Sequence, residues 1–167
     1  MKIETKIDGY IIRKAERSEV PLVFEFIKRL AAYEKLSHEV VATEDDLDRY
    51  LFGPQKVAEV VIGFYRGTPV GFALYFFNFS TFLGKPGIYL EDLYVHQEFR
   101  GRGFGKALLT YLARHAVEQN CGRLEWAVLD WNELSIEFYK SLGASPMNEW
   151  IVNRLTGEAL TRLAALF

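Results

Sequence analysis

The chain of 167 residues contains one cysteine, Cys121, so an intramolecular disulfide and a cysteine-based zinc cluster are both excluded. Its three histidines, His38, His96 and His115, are scattered, and none is spaced to activate Cys121 as a nucleophile. Gly122 follows in what reads as a helix-to-strand turn, which favours a packed structural thiol. No apolar run approaches the ~18 residues of a membrane span, and "MKIETKIDGYIIRKAERSE" lacks the uninterrupted apolar stretch of a signal peptide. A soluble, cytoplasmic protein is expected, with no membrane partner. There is no basic excess either: 20 Lys and Arg stand against 22 Asp and Glu, a net charge of −2, so duplex nucleic acid is a poor partner. No linker, repeat or low-complexity segment interrupts the chain, and a single domain over residues 1–167 is expected, without a metal.

What is present is half hydrophobic and rich in Phe and Tyr. "GYIIRKA" (Gly9–Ala15) reads as a strand, and Ser18 can cap an amphipathic helix through Val20, Phe24, Ile27, Leu30 and Ala31, ending near Tyr33–Leu36. Thr43 can cap a short helix whose first turn holds Glu44, Asp45 and Asp46, either as dipole-favoured capping charges or as an attractor for an amine. Strands Val57–Tyr65, Pro69–Phe79 and Gly87–Val95 follow with short turns, predicting an antiparallel meander. A helix from Gly103 to about Gln119, a strand at Arg123–Asp130, a helix capped by Asn132 and stopped at Gly143, a strand in "MNEWIVNRL" and a helix in "GEALTRLAALF" complete the chain. The strand–helix–strand passage around Gly103 predicts one parallel unit. The class is therefore α+β, a mixed, mostly antiparallel sheet flanked by helices.

"FRGRGFGKALL" (Phe99–Leu109) carries glycines into a helix N-terminus, where unpaired N–H groups and the helix dipole favour an anion. A dinucleotide fingerprint fails, because its third glycine would fall on Lys106 or Leu108. A P-loop fails as well: only three residues separate Gly101 from Gly105, and Ala107 after Lys106 cannot bind Mg²⁺. What is left is Arg100-x-x-Gly103-x-Gly105, a loop suited to a pyrophosphate used as a handle and not as the reacting group.

This pattern resembles the acyl-CoA pyrophosphate loop of the GCN5-related N-acetyltransferases (GNAT). "YLEDLYV", "AVLDWNELSIEFYKSLGA", "LAAYEKL" and the final "EW" resemble the diamine branch, with its spermidine/spermine and thialysine enzymes, over nearly the whole chain. The resemblance implies the GNAT acyl-CoA N-acyltransferase fold. It implies acetyl transfer from acetyl-CoA to a primary amine of a small molecule, such as a diamine, polyamine or thialysine-like amino acid, by direct attack on the thioester, and a homodimer. A protein lysine or N-terminal acetylase would use the same chemistry, and a non-catalytic acyl-CoA-binding domain would need neither acid nor base.

Acetylating an amine meets a protonation barrier: with a pKa of ~10.4 the amine is only about 0.04% neutral at pH 7, a deficit of roughly 4.6 kcal/mol. Glu91 and Asp92 are adjacent on a strand, and simple alternation sends them to opposite faces. By resemblance Glu91 faces the amine and removes its proton, directly or through water, or holds the ammonium first. Tyr139 sits among Ile136, Phe138 and Leu142, where a tyrosine is ordinarily core; by resemblance it protonates the departing thiolate. The resemblance places Leu93, Tyr94 and Val95, turned by a bulge in the central strand, beside acetyl and pantetheine. It places Arg100, Gly101, Arg102, Gly103, Phe104, Gly105 and Lys106 on the pyrophosphate, and Asn132 both as helix cap and on CoA. Tyr33 and Glu34 match the acceptor site, and by resemblance Glu149 and Trp150 belong to the dimer interface or contribute to the partner's acceptor site, unless Trp150 is an ordinary strand-edge tryptophan. Asn78, Ser80 and Phe82 stand in the loop where the polyamine enzymes carry an aspartate and a tryptophan, and Trp126 replaces a polar residue. These departures imply a shorter amine or an amino-acid side chain.

Overall fold

Apolar alternation along the first 126 residues builds six strands in the computed structural model, which describes residues 2–167. They are β1 (Lys2–Glu4), β2 (Tyr10–Lys14), β3 (Glu59–Tyr65), β4 (Thr68–Ser80), β5 (Lys85–Val95) and β6 (Leu124–Trp126). The sheet order follows the chain, β1-β2-β3-β4-β5-β6; the first five strands pair antiparallel, and β6 runs parallel to β5. This is the α+β class expected from the sequence. The three residues of β1 are too few to show a period and were not expected.

Helices α1 (Val20–Tyr33) and α3 (Phe104–Glu118) flank the sheet. The α1 stripe Val23, Phe26 and Leu30 packs on Phe72, Leu74 and Tyr94. Phe26 lies 5.3 Å from Phe72 with ring planes 7° apart, and burying such a ring contributes roughly 1.5–3 kcal/mol. Residues of the opposite parity on β4 meet α3, where the His115 ring lies 5.8 Å from Tyr75 and 5.9 Å from Phe77. Lys35, left-handed at φ 62°, stops α1, and the Leu36 N–H returns to the Ala31 carbonyl at 2.8 Å. Tyr33 and Glu34 are thereby held at the end of the helix.

Thr43 and Asp46 cap α2 (Glu44–Leu47) reciprocally: Thr43 Oγ1 accepts from the Asp46 N–H at 3.2 Å, and Asp46 Oδ2 accepts from the Thr43 N–H at 3.0 Å. The Thr43 hydroxyl, donating to the same Oδ2 at 2.7 Å, and then the Thr43 N–H hold the Asp46 carboxyl below its usual range. No helix among the described residues is long and apolar enough to cross a membrane, and no group of three or more His, Cys, Asp or Glu among them is placed to hold a metal ion.

The chain divides into two compact units, residues 1–127 and 128–167. The second contains α4 (Glu133–Ser141) and α5 (Gly157–Ala164). Gly143, at φ 90°, follows α4 as its left-handed cap. The strand expected in "MNEWIVNRL" is not formed, because residues 147–155 have no ladder partner among the described residues. The strand expected over Arg123–Asp130 is reduced to Leu124–Trp126. Its pairing with β5 ends at Leu90↔Trp126, where the next residue of β5, Glu91, forms a bulge that bends the strand away from regular pairing.

Candidate active site

The bulge organises the first unit's candidate site. Leu74 faces Asp92 and Tyr75 faces Leu90, leaving Glu91 as the extra residue on β5. Strict alternation therefore breaks at this point and no longer fixes where Glu91 faces relative to Asp92. Asp92, opposite Leu74, belongs to the α1 face. Its half-buried carboxyl is pushed up to about 7, first by loss of solvent and then by the charges of Glu91 and Glu34. Burial also raises the Glu34 carboxyl at the end of α1. Glu91 itself is exposed. The sequence offered Glu91 and Asp92 as a pair and assigned the role to Glu91; the burial of Asp92 is what the sequence did not show.

Beyond the bulge, residues 92–95 have β4 as their only strand partner among those described, since β6 pairs with Ile88–Leu90. Leu93, Tyr94 and Val95 thus carry an open backbone edge where the sequence reading placed acetyl and pantetheine. Tyr94 is buried, 6.1 Å from Phe26, and Val95 is buried beside it.

The glycine loop follows through a turn at Gln97–Phe99. Gly101 (φ 75°) and Gly103 (φ 84°) are left-handed, and Gly103 caps α3 without a side chain, so the first-turn N–H groups of α3 keep no intrahelical partner. Gly105 differs. Its φ is ordinary, and a Cβ there would meet only Val95 Cγ2 at 3.8 Å. Alanine would suit a helix better by up to about 1 kcal/mol. Nothing inside the fold requires glycine there, which fits a ligand resting on this turn.

Phe104 points inward, stacked 4.2 Å from Tyr10, so it offers the loop only its backbone. Arg100 is pinned: its Nε donates to the Val95 carbonyl at 3.0 Å, and its guanidinium lies 4.3 Å over the Tyr33 ring and 5.7 Å from the Tyr94 ring. Tyr33 therefore couples the end of α1 to the loop. Arg102 lies over Phe99 at 5.3 Å and Tyr65 at 5.9 Å, and Lys106 is exposed. The first unit thus assembles Tyr33, Glu34, Glu91, Asp92, Leu93–Val95 and the loop 100–106 at the ends of α1 and β5 and the start of α3.

Asn132 and Tyr139 belong to the second unit. Asn132 is buried and caps α4, its Oδ1 accepting from the Ser135 N–H at 3.3 Å, as expected. Tyr139 is half-buried on α4 with its ring 5.3 Å from Phe138, and its carbonyl accepts from Leu142 and Ala144 at 3.0 and 3.2 Å.

A sheet whose bulged central strand opens an edge beside a glycine-rich helix N-terminus defines a class of acyl-transferring proteins, and comparison with known proteins agrees. The model of the acetyltransferase (GNAT) family matches residues 25–144. The chain is 38% identical over 167 residues to thialysine N-epsilon-acetyltransferase of Bos taurus, covering 92% of this chain and 96% of that one. It is 32% identical over 207 residues to the L-ornithine N5-acetyltransferase NATA1 of Arabidopsis thaliana, covering 93% and 88%. Among solved structures, an integron cassette protein from the mobile metagenome of V. cholerae superposes with a TM-score of 0.78 at 31% identity, over 93% of this chain and 98% of that one. The chain belongs to the GNAT acetyltransferase family and is an enzyme of acetyl transfer.

Proposed function

We propose that this enzyme transfers acetyl from acetyl-CoA to a primary amine of a small molecule, in the class of diamines, polyamines and thialysine-like amino acids. The observation that carries the reading is that Glu34 and Glu91 lie near enough for their charges to act on Asp92, on a strand whose next residues offer an open backbone edge. Three carboxyls draw an ammonium to the place where it must lose a proton. The relatives named above act on thialysine and on ornithine, which supports the same class of acceptor.

Acetyl-CoA, when bound, supplies an acetyl thioester. Gly101–Lys106 hold the pyrophosphate with first-turn N–H groups, and Gly105 leaves room for it. Arg100 fixes the loop from below, and Arg102 and Lys106 add positive charge. Leu93–Val95 turn backbone N–H groups toward the thioester carbonyl, where negative charge grows. Glu91, directly or through water, takes the proton from the ammonium, with Asp92 and Glu34 holding the amine nearby. The freed nitrogen bonds to the carbonyl carbon as the carbon–sulfur bond breaks, Tyr139 gives its proton to the departing thiolate, and the second proton shed by the acetylated nitrogen restores the tyrosine through solvent. Because a thiol near pKa ~8.5 leaves readily, acid help contributes less than base help.

The test is release of CoA thiol against diamines, polyamines, thialysine, lysine and peptides. Turnover with small amines supports this reading. Turnover with peptides alone would identify a protein acetylase, and binding without release an acyl-CoA-binding domain. A homodimer is part of the same reading, with Glu149 and Trp150 at the interface; Trp150, Ile151 and Val152 are exposed. Sedimentation of the pure enzyme checks it.

A further inference from the structure

An acceptor must be recognised at its far end as well as at its reacting nitrogen, and the α1 face of the sheet carries an ion pair beyond the carboxyl cluster. Leu74, Phe76 and Asn78 share that face by strand alternation, and Leu74 stands opposite Asp92. Asn78 Nδ2 donates to Glu125 Oε2 at 3.1 Å, and Arg123 Nε lies 2.8 Å from the same oxygen. Gly87, opposite Asn78, makes this possible: a Cβ there would collide with Asn78 Oδ1 and lie 3.0 Å from Arg123 Cγ. Arg123 and Glu125 are braced, yet their side chains keep 36% and 38% of their surface exposed.

The spacing suits a short acceptor. Glu125 stands opposite Tyr89, and Tyr89 opposite Phe76, which is two residues along β4 from the Asp92 row. Two residues advance about 7 Å and one strand about 5 Å sideways, so the two rows lie about 8 Å apart at the backbone. An extended chain of three or four methylenes separates a side-chain amine from its α-carbon by about 5–6 Å at ordinary bond lengths. Side chains reaching inward from both rows close the difference. In the Glu125 row itself Phe76 and Tyr89, with ring centroids 5.2 Å apart and planes 30° apart, make an apolar floor for those methylenes next to the carboxylate.

Charge then discriminates. A second ammonium on a diamine or polyamine gains at Glu125 what it loses at Arg123. A zwitterionic α-amino acid end satisfies both, its ammonium on Glu125 and its carboxylate on Arg123. We infer that Arg123 and Glu125, braced by Asn78, form a subsite for the α-carboxylate and α-ammonium of the acceptor, so that the enzyme selects diamino acids over the diamines that lack only the carboxylate. The inference rests on the small-amine reading above.

The experiment compares kcat/KM for ornithine and lysine with 1,4-diaminobutane and 1,5-diaminopentane, by CoA thiol release, in the native enzyme, Arg123→Gln and Arg123→Lys. The native enzyme is expected to favour the amino acids by about tenfold or more. Arg123→Gln should lower kcat/KM for the amino acids by about 10–100-fold, through KM, and leave the diamines unchanged or improved. Arg123→Lys should recover part of the loss. Retained diamine turnover shows that the variant is folded. A native enzyme that prefers diamines, or an Arg123→Gln loss equal for both classes, overturns the subsite alone. A native enzyme that acetylates none of the four amines overturns the subsite, and one that also leaves thialysine and polyamines unacetylated overturns the small-amine reading with it.

Discussion

Asp92→Asn should make the protein more stable and less active, and the two effects should share one pH dependence. The carboxyl titrates at about 7 in the folded chain against an ordinary 3.8, because burial and the neighbouring Glu91 and Glu34 disfavour its charge. A raised acid pKa means that the stability this group contributes is fully present below its unfolded value and is lost as pH rises through about 7. At 1.36 kcal/mol per pH decade the loss has an upper bound of about 4 kcal/mol by pH 8. Asparagine has nearly the same shape and no charge, so the variant escapes this loss. Even half of the bound, about 2 kcal/mol, raises Tm by roughly 4–8 °C in a chain of this size. Tm measured from pH 4 to pH 8.5 in both proteins should therefore coincide near pH 4, separate progressively as pH rises from 4 to 7, and stay apart by a constant amount above about pH 7. In the native enzyme kcat/KM should rise through pH 7 as the cluster ionises, and Asp92→Asn should lower it by about 10²-fold or more with that limb flattened. A Tm difference that is the same at every pH, or a variant with the native pH profile, would refute the clustered-carboxyl account.

Glu91→Gln should reduce kcat/KM most on the acid side of the profile; an unaltered profile removes it as the proton acceptor. Tyr139→Phe should lower kcat by about 10²-fold, in the range of general acid–base contributions, with KM for the amine little changed and Tm retained. Gly105→Ala should leave Tm equal or higher, since alanine suits a helix better by up to about 1 kcal/mol. The same variant should raise KM for acetyl-CoA, which initial-rate kinetics would show; an unchanged KM means that the first turn of α3 carries no ligand. Gly63→Ala should unfold more readily, by about 1–3 kcal/mol of overpacking, because a Cβ there would collide with the buried Tyr10 hydroxyl. Tyr10→Phe in the same chain should restore part of the loss in urea unfolding.

Local chemistry was legible in the sequence. Glycine spacing between Arg100 and Lys106 removed two classes of nucleotide site, and Gly101 and Gly103 indeed take the left-handed angles that such a loop needs. The caps at Thr43 and Asn132, the end of α4 before Gly143 and the parallel step from β5 to β6 followed from side-chain chemistry and period. These features depend on residues within a few positions of one another, and short-range sterics and hydrogen bonding determine them.

What depended on partners distant in the chain was not legible. A strand in "MNEWIVNRL" had the right composition, yet residues 147–155 find no ladder partner among those described. The bulge at Glu91 comes from the register between β4 and β5, so alternation along β5 alone does not fix where Glu91 faces relative to Asp92. Only the folded sheet brings Glu34 from the end of α1 into the field of Asp92, and only it sets Asn78, Arg123 and Glu125 from two strands over Gly87. By itself the sequence determined the loop and caps of an acetyltransferase, because those are written in neighbouring residues. The tertiary structure decided which carboxyls share a site, because a pKa and an ion pair are set by distances in space.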